Sequence, residues 1–312
     1  MQTITLGRTG LQVSRMGVGA GGPSQIGVKT GRSEQESVDL LRRAFDAGVN
    51  LVDTSEGYAT EQIIGRALEG RDRDQIILST KKSTRRENVT PESVMESLDA
   101  SLRRLQTETI DLYNLHGVVP QGYRRLVDQV YPTLEAARQA GKIRFLGITE
   151  MFGEDRQHTM LSEALADDLW DVVMVGFSLL NQTARAVVLA PAIKQNVGVQ
   201  VMFAVRKALG SEEALKPFVQ SLLEKGEMDP EDVDVDSILD FALSSAASLP
   251  DVAYRFCRDE PGVHVVLSGT GNADHLQQNL ESFAREPLSA ATTQRLRHIF
   301  RSVVSTTGQS LD

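Results

Sequence analysis

Four polar side chains of complementary chemistry stand at or just beyond the ends of three consecutive apolar runs. They are Asp53 and Tyr58 after the first of these runs, Lys81 after the next, and His116 after the third. A hydride that attacks a carbonyl carbon leaves an alkoxide, which needs a proton near neutral pH. A phenol, with a pKa of about 10 in water, is a suitable acid, and a nearby ammonium favours its ionised form. The set therefore predicts reversible carbonyl reduction, with Tyr58 as the proton donor or acceptor.

The other two charged or titratable groups have supporting uses. A buried Lys81 needs an opposite charge, which Asp53 can supply. A neutral imidazole at His116 would hydrogen-bond the carbonyl oxygen and orient the substrate. A lysine at a strand end can also act as a Schiff-base nucleophile, as in aldolases, so Lys81 leaves a second reaction class open. The neighbouring Lys82 is expected to point to the opposite face of its strand.

Eight short apolar runs, each followed by an amphipathic stretch, must position these side chains. The runs are Arg15–Ala20, Val49–Thr54, Gln75–Lys81, Ile110–His116, Ile143–Thr149, Asp171–Phe177, Gly198–Val205 and Val263–Thr270. Continuous apolar strings are typical of parallel strands that are buried on both faces. Helical periodicity is found in the intervening stretches Ser33–Ala47, Pro91–Leu105 with Thr90 as its N-cap, Val130–Ala140 and Asp274–Phe283.

This alternation predicts an α/β protein with one (β/α)8 barrel, a TIM barrel, that forms a single domain over residues 1–312. A Rossmann fold would place a GxGxxG motif after its first strand, and the segment GVGAGG at residues 17–22 has that spacing; the eightfold strand–helix alternation nevertheless favours a barrel over a doubly wound sheet. The opening segment ITLGRTGLQVSR predicts a β-hairpin that caps the bottom of the barrel. The connection 206–262, between the seventh and eighth strands, is long, and we expect two or three helices in it and a position over the active site.

The composition excludes several classes of protein. The chain has 312 residues and a net charge of −9, which argues against nucleic-acid binding. Its single cysteine, Cys257, permits neither an internal disulfide nor a multi-cysteine metal site, and its apolar neighbours predict burial in a helix. The N-terminus lacks a signal-peptide pattern and no apolar run reaches the length of a membrane span. We therefore expect a cytoplasmic protein that binds small molecules rather than membranes or nucleic acids.

An acidic run, Asp229–Asp236, lies within the long connection. Its alternating Asp232, Asp234 and Asp236 suit calcium ligands in spacing, but the run lacks the glycine and the terminal glutamate of an EF-hand loop. We favour a solvated loop in which Asp236 caps the next helix, and we predict no metal site.

Several segments resemble the aldo-keto reductases, and the resemblance runs over nearly the whole chain. The matching segments are DTSEGY (Asp53–Tyr58), STK (Ser79–Lys81), SLRRL (Ser101–Leu105), IDLYNLHG (Ile110–Gly117), GKIRFLGIT (Gly141–Thr149) and SGTGNADHLQQN (Ser268–Asn279). The resemblance implies an NAD(P)-dependent oxidoreductase, of the reductase or the alcohol or aldose dehydrogenase kind, that acts on a small carbonyl compound, alcohol or aldose. The catalytic tetrad that it implies is Asp53, Tyr58, Lys81 and His116.

The resemblance also implies which positions hold the nicotinamide. The family's Ser-Asn pair for the carboxamide is Thr149 and Glu150 here, and the glutamine of the sixth strand is Met174. The stacking aromatic of the seventh strand aligns with Ala204, beside Phe203. These departures motivate an alternative function, a nicotinamide-binding regulatory or partner subunit with little turnover, whereas the complete tetrad favours an enzyme.

The phosphates and the adenine are expected at the last motif. Gly269, Thr270 and Gly271 form a loop that leads into a helix, which suits a phosphate at the helix N-terminus. The resemblance implies that Gln278 and Asn279 face the adenine.

Two further positions bear on the choice of cofactor. Positions that often carry Lys or Arg to bind the 2′-phosphate of NADP are Asn272 and His275 here, so we favour NAD. Arg206 and Lys207 are cations that could approach from the long connection. Polar candidates at the mouth of the site are Glu56, Glu150 and Arg206. The sequence leaves the substrate, the direction of the reaction and the oligomeric state open.

Overall fold

The computed structural model describes residues 1–85 and 89–311. Strands in these ranges form an antiparallel hairpin and a closed parallel barrel. The hairpin strands are β1 (Thr3–Thr5) and β2 (Gln12–Ser14). The barrel strands are β3 (Met16–Gly19), β4 (Leu51–Asp53), β5 (Ile77–Ser83), β6 (Ile110–Val118), β7 (Ile143–Glu150), β8 (Val172–Gly176), β9 (Gly198–Met202) and β10 (Val265–Ser268). Each pairs with the next, and β10 closes on β3, which confirms the predicted (β/α)8 barrel.

Helices surround the barrel. They are α1 (Glu34–Asp46), α2 (Glu61–Leu68), α3 (Pro91–Leu105), α4 (Pro120–Gln129), α5 (Tyr131–Gln139), α6 (Thr159–Asp167), α7 (Ala190–Gln195), α8 (Glu212–Glu224), α9 (Asp240–Leu243), α10 (Leu249–Arg258), α11 (Ala273–Ala284) and α12 (Ala290–Ile299). Thr90 caps α3 as predicted, because its side chain accepts a hydrogen bond from the amide of Ser93. In the described residues, no helix combines the length and apolar composition of a membrane span.

The registers of neighbouring strands bring the predicted catalytic groups to one rim. Asp53 of β4 lies opposite Ser79 of β5, and Lys81 of β5 lies opposite Asn114 of β6. All nine residues of β6 are buried, as expected for a strand covered on both faces. Since the strands are parallel, their carboxyl ends meet at the same end of the barrel, where loops carry function in this fold.

The N-terminal hairpin closes the opposite end, as predicted. Leu6, Leu11 and Val13 form a separate apolar cluster with residues near the amino ends of barrel strands, among them Leu51 and Val172. The hairpin therefore seals the bottom of the barrel with side chains and leaves the top open.

The structure corrects two predictions about the long connection. Asp236 does not cap a helix, because it pairs with Lys216 at 2.8 Å and the next helix begins at Asp240. We expected two or three helices in the connection, and it contains three, α8 to α10. Of its described residues, however, only Arg206 and Lys207 line the cavity at the top of the barrel. Within the acidic run, Asp232 pairs with Arg301 at 2.8 Å, and Asp229 lies 3.7 Å from the same guanidinium.

The predicted burial of Cys257 is confirmed. The residue lies on α10 with no exposed surface, and its Sγ is 3.7 Å from the carbonyl oxygen of Phe177. Burial raises the pKa of the thiol, which makes it a packing residue rather than a nucleophile.

Truncating the hairpin seal should destabilise the whole barrel. Leu6→Ala removes a fully buried side chain, and such truncations cost about 2–5 kcal/mol of unfolding free energy. Urea unfolding followed by circular dichroism measures the loss. Leu311→Ala, at a position 54% exposed, is the matched control and should change stability by less than about 0.5 kcal/mol. Equal stability of the two variants would contradict the sealing role.

Candidate active site

A cavity of about 830 Å³ opens at the carboxyl ends of the barrel strands. This size suits a site for a small molecule or cofactor. All four predicted tetrad residues line it. The structure therefore brings together groups that are up to 63 positions apart in the sequence, between Asp53 and His116.

A buried ion pair lies at the floor of the cavity. The ammonium of Lys81 contacts the carboxylate of Asp53 and donates to the carbonyl oxygen of Thr54 at 2.6 Å. Ser79 donates to the second carboxylate oxygen of Asp53 at 2.7 Å. Both ionic side chains are at most 5% exposed. Burial raises the pKa of the Asp53 carboxyl, and the charge of Lys81 opposes that shift.

The phenol of Tyr58 lies between this pair and His116. Its oxygen is 3.1 Å from Nε2 of His116, and the Lys81 ammonium is 5.6 Å from the centre of its ring. Nδ1 of His116 is 3.1 Å from the hydroxyl of Ser55, whose other acceptor, the carbonyl oxygen of Lys81, is 3.4 Å away. Ser55 thus contacts the Nδ1 side of the imidazole, and the Nε2 side faces the Tyr58 oxygen.

Two features fix these groups in place. Gly21, in the loop after β3, lies under the Tyr58 ring, and a Cβ at this position would be 2.3 Å from a ring carbon. Any other residue at position 21 would therefore displace the phenol. Burial lowers the pKa of His116 to about 2, and the charges of Lys81 and Arg85 act in the same direction, so the imidazole is neutral at physiological pH.

The positions expected to hold the nicotinamide do not all reach the cavity. Thr149, Met174 and Phe203 line the cavity, whereas Ala204 is buried in the core and is not among the described lining residues. The position that aligns with the family's stacking aromatic, Ala204, therefore does not line the described cavity, and the chain turns at the preceding Phe203, which has a φ of 71°. The half-buried ring of Phe203 is the aromatic surface that the cavity offers.

Glu150 borders the cavity but is fully engaged with the protein. One carboxylate oxygen accepts from the amide of Gly176 at 2.8 Å, and the other is 2.8 Å from Nδ1 of His158. His158 has no exposed surface, and its Nε2 is 2.8 Å from the Thr183 hydroxyl. Thr183 in turn donates to Asn181, which extends this network of buried polar groups. Burial raises the pKa of Glu150.

Part of the last motif, Ser268–Asn279, lines the cavity and part lies outside it. Gly269 and Thr270 line the cavity, whereas Gly271 packs against Gly27 and borders a smaller depression of about 160 Å³. The Asn272 side chain caps α11 by accepting from the amide of Asp274 at 2.7 Å.

The remaining positions of this motif lie outside the main cavity. His275 and Gln278 are exposed on α11, and the Asn279 side chain donates to Ser268 at 2.8 Å. Among the residues the structure describes, the 269–270 loop is thus the part of the motif that reaches the cavity.

One expected mouth residue is absent from the site. The Glu56 carboxylate turns away to the outer face of β5, where it pairs with Lys82 at 3.2 Å and accepts from the amide of Ser83. Lys82 points away from Lys81, as strand alternation predicts.

Several lining residues were not found from the sequence. Lys29, Arg85 and Met151 follow barrel strands on loops, and a search of all loop residues after strands would have found them. Gln309 approaches from the C-terminal segment, and its Oε1 accepts from Arg206 at 3.2 Å. Arg206 stacks on the Phe203 ring at 3.5 Å, and burial lowers its pKa to about 10.

Comparison with known proteins defines the family. Residues 15–301 match the model of the Aldo/keto reductase family, so the chain belongs to this family of nicotinamide-dependent oxidoreductases. It is 36% identical to L-galactose dehydrogenase of Arabidopsis thaliana over 152 residues. This aligned segment covers 46% of this chain and 47% of that protein. It is 29% identical over 232 residues to NADH-specific methylglyoxal reductase of Escherichia coli (strain K12), 67% of this chain and 69% of that one.

Solved structures share the fold over nearly the full length. The holo form of an aldo-keto reductase from Bacillus halodurans superposes with a TM-score of 0.73 at 24% identity, over 98% of this chain and 97% of that one. An aldo/keto reductase from Klebsiella pneumoniae, in complex with NADP and acetate, has a TM-score of 0.69 at 20% identity, over 99% and 97% of the two chains.

The neutral state of His116 predicts a specific loss of stability in acid. In the unfolded chain a histidine has a pKa of about 6.5, so below this pH the unfolded state binds a proton that the folded state does not. The unfolding free energy should therefore fall as the pH decreases from about 6.5, by up to about 1.4 kcal/mol per pH unit from this group.

Urea unfolding at pH 7 and pH 5 measures this effect. His116→Gln should reduce the difference between the two pH values, whereas His275→Gln, at an exposed position, should leave it unchanged. An identical pH dependence in wild type and His116→Gln would show that the imidazole titrates normally in the folded protein.

Proposed function

We propose that this protein transfers a hydride between a nicotinamide cofactor and a small aldehyde, ketone or aldose, with Tyr58 as the general acid or base. The observation that carries the proposal is the Tyr58 oxygen 3.1 Å from His116 Nε2, beside the buried Lys81–Asp53 pair and open to the cavity. A binding or regulatory subunit has no use for this proton-transfer set.

Each residue has a separate task in the proposed reaction. The cofactor, when bound, supplies or accepts the hydride. In the reductive direction Tyr58 gives its proton to the developing alkoxide, and the Lys81 ammonium stabilises the phenolate that remains. Asp53 and the Thr54 carbonyl hold the ammonium in position. The Nε2–H of neutral His116 hydrogen-bonds the carbonyl oxygen and orients it toward Tyr58.

The same contacts argue against a Schiff-base mechanism. A nucleophilic lysine must be an unprotonated amine with a free path to the carbonyl carbon. Lys81 instead donates to Asp53 and Thr54, and its side chain is 1% exposed. Aldolase-type chemistry is therefore not favoured.

Replacing the phenol hydroxyl should abolish turnover selectively. Tyr58→Phe should lower kcat by at least about a hundredfold, because general acid–base groups contribute about 10²–10⁴-fold. Cofactor binding, measured by fluorescence titration, should be unchanged. Tyr131→Phe is the matched control, since its hydroxyl bonds the carbonyl oxygen of Leu169, remote from the cavity. A Tyr58→Phe enzyme that keeps most of its rate of nicotinamide oxidation would refute the assignment.

The proposed site for the dinucleotide extends from Thr149, Met174 and Phe203 to the Gly269–Thr270 loop. Thr149 accepts from the Gly117 amide at 2.8 Å, so its own proton is available to a carboxamide oxygen. The Phe203 ring would stack on the nicotinamide. Glu150, whose oxygens are engaged by His158 and Gly176, would support this surface from below.

We further propose NAD as the preferred cofactor. Asn272 is used as a helix cap and His275 carries no fixed positive charge. The depression beside Gly271 is bordered by two cations, Arg32 and Arg43, and by two carboxylates, Glu36 and Asp39. Its lining therefore has no net positive charge to attract a 2′-phosphate. The relative named NADH-specific methylglyoxal reductase agrees with this preference.

Titration with NADH and NADPH tests the preference directly. Wild type should bind NADH more tightly. His275→Arg should raise the affinity for NADPH by about tenfold through a charge-assisted contact with the 2′-phosphate and leave NADH binding unchanged. Tighter binding of NADPH by the wild type would reverse this part of the proposal.

A further inference from the structure

The cavity is more positive than the chain as a whole. The chain carries a net charge of −9, yet the described lining includes four cationic side chains that form no ion pair with a described carboxylate, Lys29, Arg85, Arg206 and Lys207. The acidic residues among the described lining are Asp53 and Glu150, and each is buried against its own partner, Lys81 and His158 respectively. The open part of the cavity is therefore built to receive anionic groups.

Three of these cations lie on the side proposed for the cofactor. Arg206 and Lys207 follow β9, and Arg206 stacks on Phe203. Lys29 lies in the loop after β3, in which Gly27 packs against Gly271 of the phosphate loop. The phosphates of a dinucleotide account for cations in these positions.

Arg85 lies on the other side, with the tetrad. It follows β5, and its Nε is 3.1 Å from the point that a Cβ on Gly117 would occupy, one residue after His116. Gly117 has a φ of 69°, and Met151 approaches the same point to 3.1 Å. Within residues 1–85 and 89–311, no carboxylate forms an ion pair with Arg85. Among the described residues, its guanidinium thus borders the reaction end of the cavity beside Gly117 and without a carboxylate partner.

We propose that Arg85 binds an anionic group of the substrate, so that the preferred substrate is a carbonyl compound bearing a carboxylate or a phosphate. This inference rests on the proposed function. A guanidinium binds either anion with two parallel hydrogen bonds, which also fixes orientation. Because Arg85 follows β5 and His116 lies on the neighbouring β6, an anionic group bound by Arg85 would lie a few atoms from the carbonyl carbon. A short oxo acid or a phosphorylated aldose meets this description.

Matched pairs of aldehydes test the proposal. The pairs are succinic semialdehyde against butanal, and glyceraldehyde 3-phosphate against glyceraldehyde, and they also separate the carboxylate from the phosphate. Wild type should have the higher kcat/KM for the anionic member of at least one pair. Arg85→Gln should lower kcat/KM for that member by about tenfold or more, mainly through KM, and leave the neutral member unchanged.

Two further variants complete the experiment. Arg85→Lys keeps the charge and should retain part of the preference. Lys194→Gln removes a cation from the exposed surface of α7 and should change neither pair. The Kd for NADH should be the same in all variants, because the cofactor's phosphates are bound elsewhere.

Three results would overturn the inference: equal activity of wild type on both members of both pairs, an equal loss on charged and neutral aldehydes in Arg85→Gln, or a weaker Kd for NADH with the preference intact. Turnover of none of the four aldehydes would count against the proposed function instead. Calorimetric binding of succinate and inorganic phosphate to the NADH complex then decides the role of Arg85. Weaker binding in Arg85→Gln supports it, and unchanged binding refutes it.

Discussion

The buried contact between Lys81 and Asp53 is the interaction on which the rest of the site depends. A lysine ammonium with 1% of its side chain exposed is stable only beside an opposite charge and hydrogen-bond acceptors. The barrel supplies both, because β4 and β5 are neighbours in register and place Asp53 and the Thr54 carbonyl next to Lys81. The resulting fixed charge lies beside the Tyr58 ring and also disfavours a proton on His116. The charge of Lys81 thus adds to burial, the larger effect, in lowering the pKa of His116.

The cavity above the ion pair is lined by further cationic side chains. The ion pair at its floor is neutral overall, so it contributes little to the attraction of a ligand. The other cations of the described lining lie on loops after β3, β5 and β9. Loops are suited to carry such groups because the barrel determines where they begin, while their side chains are free to differ.

The opposite wall of the cavity is organised by a second buried pair, Glu150 and His158. Both members are fully buried, and the ring of His158 stacks on Phe152. Thr183 and Asn181 extend the network to the C-terminal segment, where the Asn181 amide donates to the carbonyl oxygen of Thr306. A carboxylate in this position is therefore compatible with a well-packed wall. Its charge is compensated inside the protein and does not face the cofactor directly.

The sequence by itself determined the barrel, its hairpin seal and the identity of the four groups at its rim. These follow from local signals, namely apolar periodicity, caps and polar residues at strand ends, each of which is carried by a few consecutive residues. The tertiary structure decided which groups face the cavity. Ala204 and Glu56 were misplaced because a turn at Phe203 and the contact with Lys82 redirect them. Arg85 and Gln309 were missed because their roles arise from proximity to residues distant in the chain. Tyr58, His116 and Lys81 were identified by type, but only the closed barrel, with its strand register, sets the distances between them.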